Sequence, residues 1–333
     1  MMRSPLDGLK VLELARVLAG PWAGQLLADL GAEVIKVESP IGDETRKWGE
    51  DSFNNNSSYF KCTNRGKSSF VANFKKKNEL EMVQHLAKNA DIIIENYKVN
   101  NLKEYKLDYK NIKKINKSII YCSITGFGQN GPLALLPGYD FVIQAMAGIM
   151  SITGEKDGPP IKPGVAYADI FTSLYSVIAI QAALHSRKKT GIGSFIDMSL
   201  YDTQLAVLAN QASTYLLNGK EPKRMGNKHP SIVPYQLFEA KDGDIIIACG
   251  NDQQFKSLCN AFEWDFANSK KFSTNKKRIK NRTELISELS NKLKKFKKEK
   301  IIKNLNKAKV PVGNVNSVSE ALSLIHISEP TRQ

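Results

Sequence analysis

The 333-residue sequence has an ordinary globular balance of 42% hydrophobic and 24% charged residues, which argues against a disordered or fibrous chain. No run approaches about 18 uninterrupted apolar residues, so we predict no membrane span and no membrane partner. The first residues leave no room for a signal or transit peptide, so we expect a cytoplasmic protein, or a mitochondrial-matrix protein if the N-terminus is incomplete. Four cysteines without metal-ligand spacing predict reduced thiols: Cys62, Cys122, Cys249 and Cys259.

The net charge of +15 is concentrated in one stretch. Residues 267–309 contain 16 Lys or Arg and three acidic residues. A nucleic-acid surface is one interpretation. The solvated face of amphipathic helices is the other, and we favour it because apolar residues recur beneath the lysines at roughly helical spacing. These residues are Leu285, Ile286, Leu289, Leu293 and Phe296.

The first half of the chain alternates apolar strands with helices, which predicts a Rossmann-like, doubly wound parallel sheet in an α/β protein. The predicted strands are Val11–Leu14, Val34–Val37, Phe70–Phe74, Ile92–Glu95 and Ile119–Ser123. The predicted helices between them are Trp22–Leu30, which ends at Gly31, Leu80–Asn89, and one containing Ile112–Ile115.

Helices continue the large domain, which we assign to residues 1–217. The remaining elements predicted there are the helices Phe141–Met150, Ile170–Ser186 and Leu200–Leu217 and the strand Phe195–Met198. A polar stretch, 218–230, predicts a linker. A small α+β domain at 231–323 then opens with a hairpin of Tyr235–Glu239 and Ile245–Cys249. Residues 324–333 break the helical pattern and form a doubtful tail, either a frayed end or a foreign one.

Asp169 stands at the start of the long apolar helix, before Ile170. It suits an N-cap, because its carboxylate accepts hydrogen bonds from free backbone N–H groups. The same position suits a nucleophile, because the helix terminus is expected to keep the carboxylate ionised. An ionised carboxylate beside a thioester can attack its carbonyl carbon. The two roles are compatible, and the sequence pattern does not choose between them.

A series of motifs in fixed order resembles the class III CoA-transferases, the family of formyl-CoA transferase, carnitine CoA-transferase and α-methylacyl-CoA racemase. The resemblance runs from Pro5 to about Leu322. It implies that family's fold and makes Asp169 the covalent nucleophile. The motifs that carry the resemblance are Pro5–Leu14, Arg16–Pro21, Leu30–Glu38, Gly42–Arg46, Asn64–Ser68, Glu95–Tyr97, Gly126–Pro132, Gly138–Asp140 and Gly164–Asp169.

Three later segments are most similar to the succinyl-CoA:glutarate CoA-transferases: Lys223–Gly226, His229–Gln236 and Gly250–Phe255. This finer resemblance implies succinyl-CoA as donor and a dicarboxylate as acceptor. Arg16, Arg46 and His229 are then candidates for holding a substrate carboxylate. For the two arginines, surface ion pairs are the alternative.

The resemblance also implies a CoA groove at the strand-end loops, with Lys75 and Lys98 suited to phosphates and Tyr139 near the reacting carbonyl. The alternatives are solvated lysines and a packed aromatic ring. The chain departs from the family at Ser39, Val99-Asn100 and Leu136-Pro137. The residues that match the groove are Val17, Leu18, Ala19, Ala72, Asn73, Phe74, Lys75, Asn96, Tyr97, Lys98, Gly138 and Tyr139.

We expect CoA thioesters as substrates, no permanently bound cofactor, no metal, and an interlocked homodimer. Three alternatives stay open. In the racemases a catalytic histidine stands at the place of Tyr139, but the histidines here are His85, His185, His229 and His326. The interpretation as a non-enzymatic nucleic-acid-binding protein rests only on the basic stretch. The family chain also continues further, so this copy could be an inactive fragment.

Overall fold

The computed structural model describes residues 4–49, 52–53 and 56–324. The chain divides into two compact units. The larger comprises the residues up to Gly154 together with Pro160–Lys223, and the smaller comprises Glu155–Pro159 with the residues from Arg224 onward. The division after Lys223 falls inside the predicted linker 218–230. The sequence pattern gave no sign that Glu155–Pro159 belongs with the smaller unit.

The larger unit is built on a six-stranded sheet in which every neighbouring pair is parallel. Its strand order runs from Lys67–Val71 through Glu33–Glu38, Lys10–Leu14, Ile92–Glu95 and Ile120–Thr125 to Ser194–Ser199, which confirms the predicted doubly wound fold. Val11 lies opposite Val34 on one side and Ile92 on the other. The strands, including a short antiparallel pair β3 and β4, are β1 (Lys10–Leu14), β2 (Glu33–Glu38), β3 (Ser52–Phe53), β4 (Asn56–Ser57), β5 (Lys67–Val71), β6 (Ile92–Glu95), β7 (Ile120–Thr125) and β8 (Ser194–Ser199).

Helices cover both faces of this sheet. Ile92 and Ile94 of β6 pack with Ala23, Leu27 and Ile180 on one face. On the other face, Ile93 packs in a cluster that includes Val83 and Ile112. The helices are α1 (Ala19–Asp29), α2 (Ser58–Asn64), α3 (Lys77–Asn89), α4 (Asn101–Glu104), α5 (Tyr109–Ile115), α6 (Asp140–Met146), α7 (Ile149–Ile152), α8 (Tyr167–Thr190), α9 (Leu200–Ala206) and α10 (Ala209–Asn218), with a 3-10 turn at Glu44–Lys47.

The helices predicted to begin at Trp22, Leu80 and Ile170 begin three residues earlier, at Ala19, Lys77 and Tyr167, and three other predicted elements are also wrong in their bounds. β5 ends at Val71 rather than at residue 74, because the Asn73 side chain closes a turn by accepting from the N–H of Lys75. The helix predicted over 141–150 is interrupted at Gly148, whose φ is 91°. The helix predicted over 200–217 is interrupted before Ala209, whose φ is 48°. Apolar periodicity runs across both interruptions and therefore concealed them.

Helix α8 carries the C-terminal signals that the sequence predicted. Gly191 adopts φ 71° and donates its N–H to the Arg187 carbonyl, which closes the helix. Within the described ranges α8 alone is long and apolar enough to cross a membrane, with a mean hydropathy of 1.3. This is weak evidence for a span, because core helices reach the same values. Here α8 packs on α1, α6, α9 and the sheet.

The smaller unit holds an antiparallel sheet of three strands, and the pairing of Tyr235–Ala240 with Gly243–Ala248 in it confirms the predicted hairpin. The basic helices bury Leu285, Leu289, Leu293, Ile301 and Leu305 completely, as expected for amphipathic helices with a solvated basic face. Residues 325–333 of the predicted tail lie outside the described residues. The elements are β9 (Tyr235–Ala240), β10 (Gly243–Ala248), α11 (Asp252–Ala261), α12 (Asn275–Lys280), α13 (Arg282–Leu293), α14 (Lys298–Lys307), β11 (Val312–Asn314) and α15 (Val318–Ser323), with a 3-10 turn at Asp265–Asn268.

Candidate active site

The larger unit has a cavity of about 140 Å³ at the carboxyl ends of its strands. The strands β1 and β6 lie side by side there, and the helix that follows β1 packs on one face of the sheet while those that follow β6 pack on the other. The loops after the two strands therefore diverge and leave a crevice. In doubly wound sheets this is where ligands bind.

Most of the predicted site residues meet at this cavity. The predicted residues among those that line it are Arg16, Val17, Leu18, Ala19, Asn96, Tyr97, Lys98, Gly138, Tyr139 and Asp169. Ala72, Asn73, Phe74 and Lys75 form the loop after β5 and are not among its lining residues; Phe74 reaches it indirectly by stacking on Tyr97, with ring centroids 6.4 Å apart. The contact of this loop with CoA stays a prediction.

Asn96 ties the two sides of the crevice together. Its Oδ1 accepts from the backbone N–H of Arg16 at 3.0 Å, and its Nδ2 donates to the Arg16 carbonyl at 2.7 Å. This pair of bonds fixes the loop after β1 against the end of β6. The sequence identified Asn96 only as a CoA contact. Its bonds to the Arg16 backbone join residues 80 positions apart, so no local sequence pattern indicated them.

A buried ion network also holds the loop after β1. The Lys36 ammonium, 1% exposed, lies 3.0 Å from both Glu13 Oε1 and Asp43 Oδ2. Burial by itself would lower the pKa of Lys36, but the two carboxylates outweigh it and raise that pKa. Asp43 also accepts from the N–H of Val17 at 3.3 Å. Val17 has φ 70°, which is strained for a β-branched residue, so the network holds a strained part of the cavity wall.

Asp169 is not an N-cap, which corrects one of the two predicted roles. Helix α8 begins at Tyr167, its N-cap is Ala166, and Asp169 is the third residue of the first turn. In the ranges that the structure describes, no group donates a hydrogen bond to the Asp169 carboxyl. Burial, followed by the charge of Asp140, raises its pKa to about 7. The expectation that the helix terminus keeps it fully ionised is therefore wrong.

Asp140 supplies the cap that α8 lacks. Its Oδ1 accepts from the backbone N–H of Ala168 at 2.8 Å and from that of Asp169 at 3.4 Å. A close backbone approach precedes Asp140: a Cβ on Gly138 would lie 2.5 Å from the Gly126 Cα. The sequence showed Asp140 in a motif but gave no sign of its contact with α8.

The predicted carboxylate-binding residues differ in their surroundings. Arg16 lines the cavity and keeps 57% of its side chain exposed, with one bond to Glu44 at 2.8 Å. Arg46 is already bonded through two nitrogens to Glu38, at 2.6 and 2.8 Å. Although burial opposes it, this pair helps to lower the pKa of Glu38 to about 2. Arg16 is therefore the better placed arginine. His229 lies in the smaller unit.

Two other expectations bear on the chemistry of the cavity. No histidine of the larger unit is among the lining residues, so the cavity lacks the acid–base histidine of the racemases. Across residues 4–49, 52–53 and 56–324, no group of three His, Cys, Asp or Glu side chains is arranged to hold a metal ion. The cysteines are free thiols there, and only Cys62 is exposed.

Comparison with known proteins agrees with the geometry. The family model described as CoA-transferase family III matches residues 6–331. The chain is 49% identical to a succinate–glutarate CoA-transferase of Agrobacterium fabrum, over 96% of this chain and 82% of that protein. It is 43% identical to the human succinyl-CoA:glutarate CoA-transferase, over 96% and 73%.

Among solved structures, a CaiB/BaiF family protein from Brucella suis superimposes with a TM-score of 0.89 at 51% identity, covering 98% of this chain and 88% of that one. The predicted family and fold are thus confirmed. The chain belongs to CoA-transferase family III, and its reaction is the transfer of coenzyme A between carboxylic acids.

Proposed function

We propose that the enzyme takes CoA from succinyl-CoA and gives it to a dicarboxylate such as glutarate, with Asp169 as the covalent nucleophile. The observation that carries the proposal is a carboxyl group in the wall of the cavity with no hydrogen-bond donor from the described residues. Its lone pairs are therefore available to an incoming carbonyl carbon. The names of the relatives at 49% and 43% identity support the pair of substrates.

The first half-reaction loads CoA onto the enzyme. An Asp169 carboxylate oxygen attacks the thioester carbonyl, the C–S bond breaks, and CoA leaves as a thiolate. The product is a mixed anhydride of Asp169 and succinate. The thiolate then attacks the Asp169 carbonyl of this anhydride and expels succinate. Asp169 now carries CoA as a thioester, and succinate departs.

The second half-reaction runs these steps in reverse with a different acid. The acceptor carboxylate attacks the Asp169 thioester and expels the CoA thiolate, which leaves a second mixed anhydride. The thiolate attacks the acceptor's acyl carbon, forms the new thioester and releases the Asp169 carboxylate. Every activated bond is exchanged for another, so the mechanism draws on neither ATP nor a metal ion. Backbone N–H groups of the loops are the expected stabilisers of the tetrahedral intermediates.

The proposed recognition of charge follows from the cations of the site. Lys98 lies at the cavity and suits a CoA phosphate, and Arg16 suits the second carboxylate of the acid. In the smaller unit, His229 Nδ1 accepts from the N–H of Ser231 at 3.1 Å, which places the ring proton on Nε2. Burial, and then Arg282, lower the pKa of His229. A neutral ring with an Nε2–H donor fits its predicted role toward a carboxylate.

We also propose that two copies of the chain associate. Large apolar side chains on α6 and α8 are exposed by 39–64%, and contiguous exposed apolar surface is a common sign of association. The family resemblance implies a homodimer as the arrangement that covers them. These side chains are Phe141, Val142, Met146, Leu174, Tyr175 and Ile178. Sedimentation at micromolar concentration tests this, and a monomer would contradict it.

The chemistry is tested by mass spectrometry after incubation with succinyl-CoA alone. The peptide that contains Asp169 should gain CoA as a thioester, and hydroxylamine should remove it. Asp169→Ala should form no adduct and exchange no CoA, whereas the surface variant Glu81→Gln should behave as wild type. Full exchange by Asp169→Ala would overturn the proposed nucleophile. Acceptor specificity is then read from kcat/KM with glutarate against dicarboxylates one carbon shorter or longer.

A further inference from the structure

We propose that Asp140 is a positioning residue that anchors the nucleophile-bearing first turn of α8, and that Gln144 holds the Asp140 carboxyl group in place. The inference rests on the proposed role of Asp169. It assigns different roles to two carboxyl groups that lie side by side at the cavity.

The first step of the argument is the missing cap of α8. The first four N–H groups of a helix have no partner within it. Ala166 stands at the N-cap and has no side-chain oxygen to offer. Asp140 Oδ1 takes over this role from another helix, at 2.8 Å from the Ala168 nitrogen and 3.4 Å from that of Asp169. The backbone of the nucleophile is therefore bonded to Asp140.

The second step is the surroundings of the other Asp140 oxygen. Gln144, which is fully buried, donates from Nε2 to Asp140 Oδ2 at 2.8 Å. Its own Oε1 is buried and has no partner within the described residues. Rotating the amide by half a turn would set Oε1 against Oδ2, two acceptors without a proton between them. The observed orientation leaves one amide oxygen unpaired but gives the second Asp140 oxygen an N–H donor, so Gln144 fixes the carboxyl group in the position that anchors α8.

The third step separates the two carboxyl groups. Both oxygens of Asp140 receive N–H donors, which makes them poor nucleophiles and holds the side chain still. Asp169 receives no donor from the described residues and faces the cavity, so it alone is free to attack. The anchor also acts on the nucleophile through its charge, since Asp140 adds to the effect of burial in raising the pKa of Asp169.

The other groups around Asp169 complete the electrostatic setting. Burial, and then the charge of Asp169, raise the pKa of Tyr59 on α2 to about 12, so this phenol stays neutral. The cavity wall adds Arg16, Lys98 and Tyr139, while α1, β7 and α9 contribute Ala19, Ile124 with Thr125, and Leu200, none of them charged. Asp140 is therefore the acidic neighbour whose removal should alter the titration of Asp169.

The decisive variant is Asp140→Asn. Its amide oxygen still accepts from the Ala168 N–H, and Gln144 can turn its unpaired Oε1 toward the new amide, so we expect a folded protein. Wild-type kcat/KM should rise with pH through about 7 as Asp169 ionises. In Asp140→Asn this rise should move to lower pH, with CoA loading retained. Asp140→Ala, which loses the anchor, should lose about 100-fold in kcat with little change in KM for succinyl-CoA.

Asp202→Asn is the matched control, because Asp202 is exposed in the first turn of α9 and the change in charge is the same. Its pH profile should match wild type. A wild-type pH profile in Asp140→Asn would overturn the inference, and so would wild-type kcat in Asp140→Ala. If Asp140→Ala does not fold, the Asp140→Asn profile decides. If wild type forms no Asp169–CoA adduct, the proposed function fails instead, and the two failures are thereby distinguished.

Discussion

Replacing Asp169 with Asn should abolish transfer and, at pH 8, make the protein more stable than wild type. Folding raises the pKa of this carboxyl from 3.8 to about 7, so between those values the folded state binds a proton that the unfolded chain has released. The free energy of unfolding therefore falls as pH rises through this range. A pKa higher by about three corresponds to ~4 kcal/mol. Because the side chain keeps some contact with solvent, we expect about 1–3 kcal/mol.

The assay is urea unfolding of both proteins at pH 5, 6, 7 and 8. The variant cannot titrate at this position, so its advantage should be smallest at pH 5, grow up to about pH 7 and then stay constant. Glu81→Gln, an exposed substitution with the same change in charge, should show no such trend. An advantage independent of pH, or a variant less stable than wild type at pH 8, would refute the reasoning, since either result means that the folded protein does not disfavour the ionised carboxylate.

Three further substitutions test other parts of the site. Lys36→Met should lower the free energy of unfolding by about 3–5 kcal/mol in urea, because the buried Asp43 carboxylate loses its cation and Glu13 is left with Lys67 alone, at 2.7 Å; a change below about 1 kcal/mol would contradict the network. Asn96→Ala should raise KM for succinyl-CoA severalfold in steady-state kinetics, since the loop after β1 loses both of its bonds to the end of β6; an unchanged KM would show that the buried ion network alone holds the loop. Gly138→Ala should cost about 1–3 kcal/mol through its clash with the Gly126 backbone, whereas Gly164→Ala, with no atom within 4 Å of the new methyl, should melt like wild type.

The sheet was predictable because its buried parallel strands have a recognisable sequence pattern. Buried strands such as β6 read as short apolar runs, and the helices between them force a parallel order with right-handed crossovers. β5 was misplaced because it is polar along much of its length, with Lys67, Ser68 and Ser69 inside the strand. Phe70, the apolar residue near its end, drew the prediction toward the loop that follows.

The site was predictable only where a residue carries its role in a local motif. Asp169 was found through such a motif. The contact of Asp140 with α8 was not, because it joins positions 28 and 29 residues apart by side-chain to backbone bonds. The buried ion network did leave a signal that passed unnoticed: Glu13 and Lys36 are charged residues with an apolar residue on each side within β1 and β2. A charge in such a strand needs a partner of opposite sign.

The strand order also bears on when the active site becomes complete during synthesis. β1 emerges first from the ribosome, yet one of its two neighbours is β6, which ends at Glu95. The crevice between them exists only after that strand has been made. Asp169 comes later still, and the sheet that supports its helix closes with β8 at Ser199. During synthesis the strands that border the crevice are therefore made well before Asp169, the group proposed to react, is added to the chain.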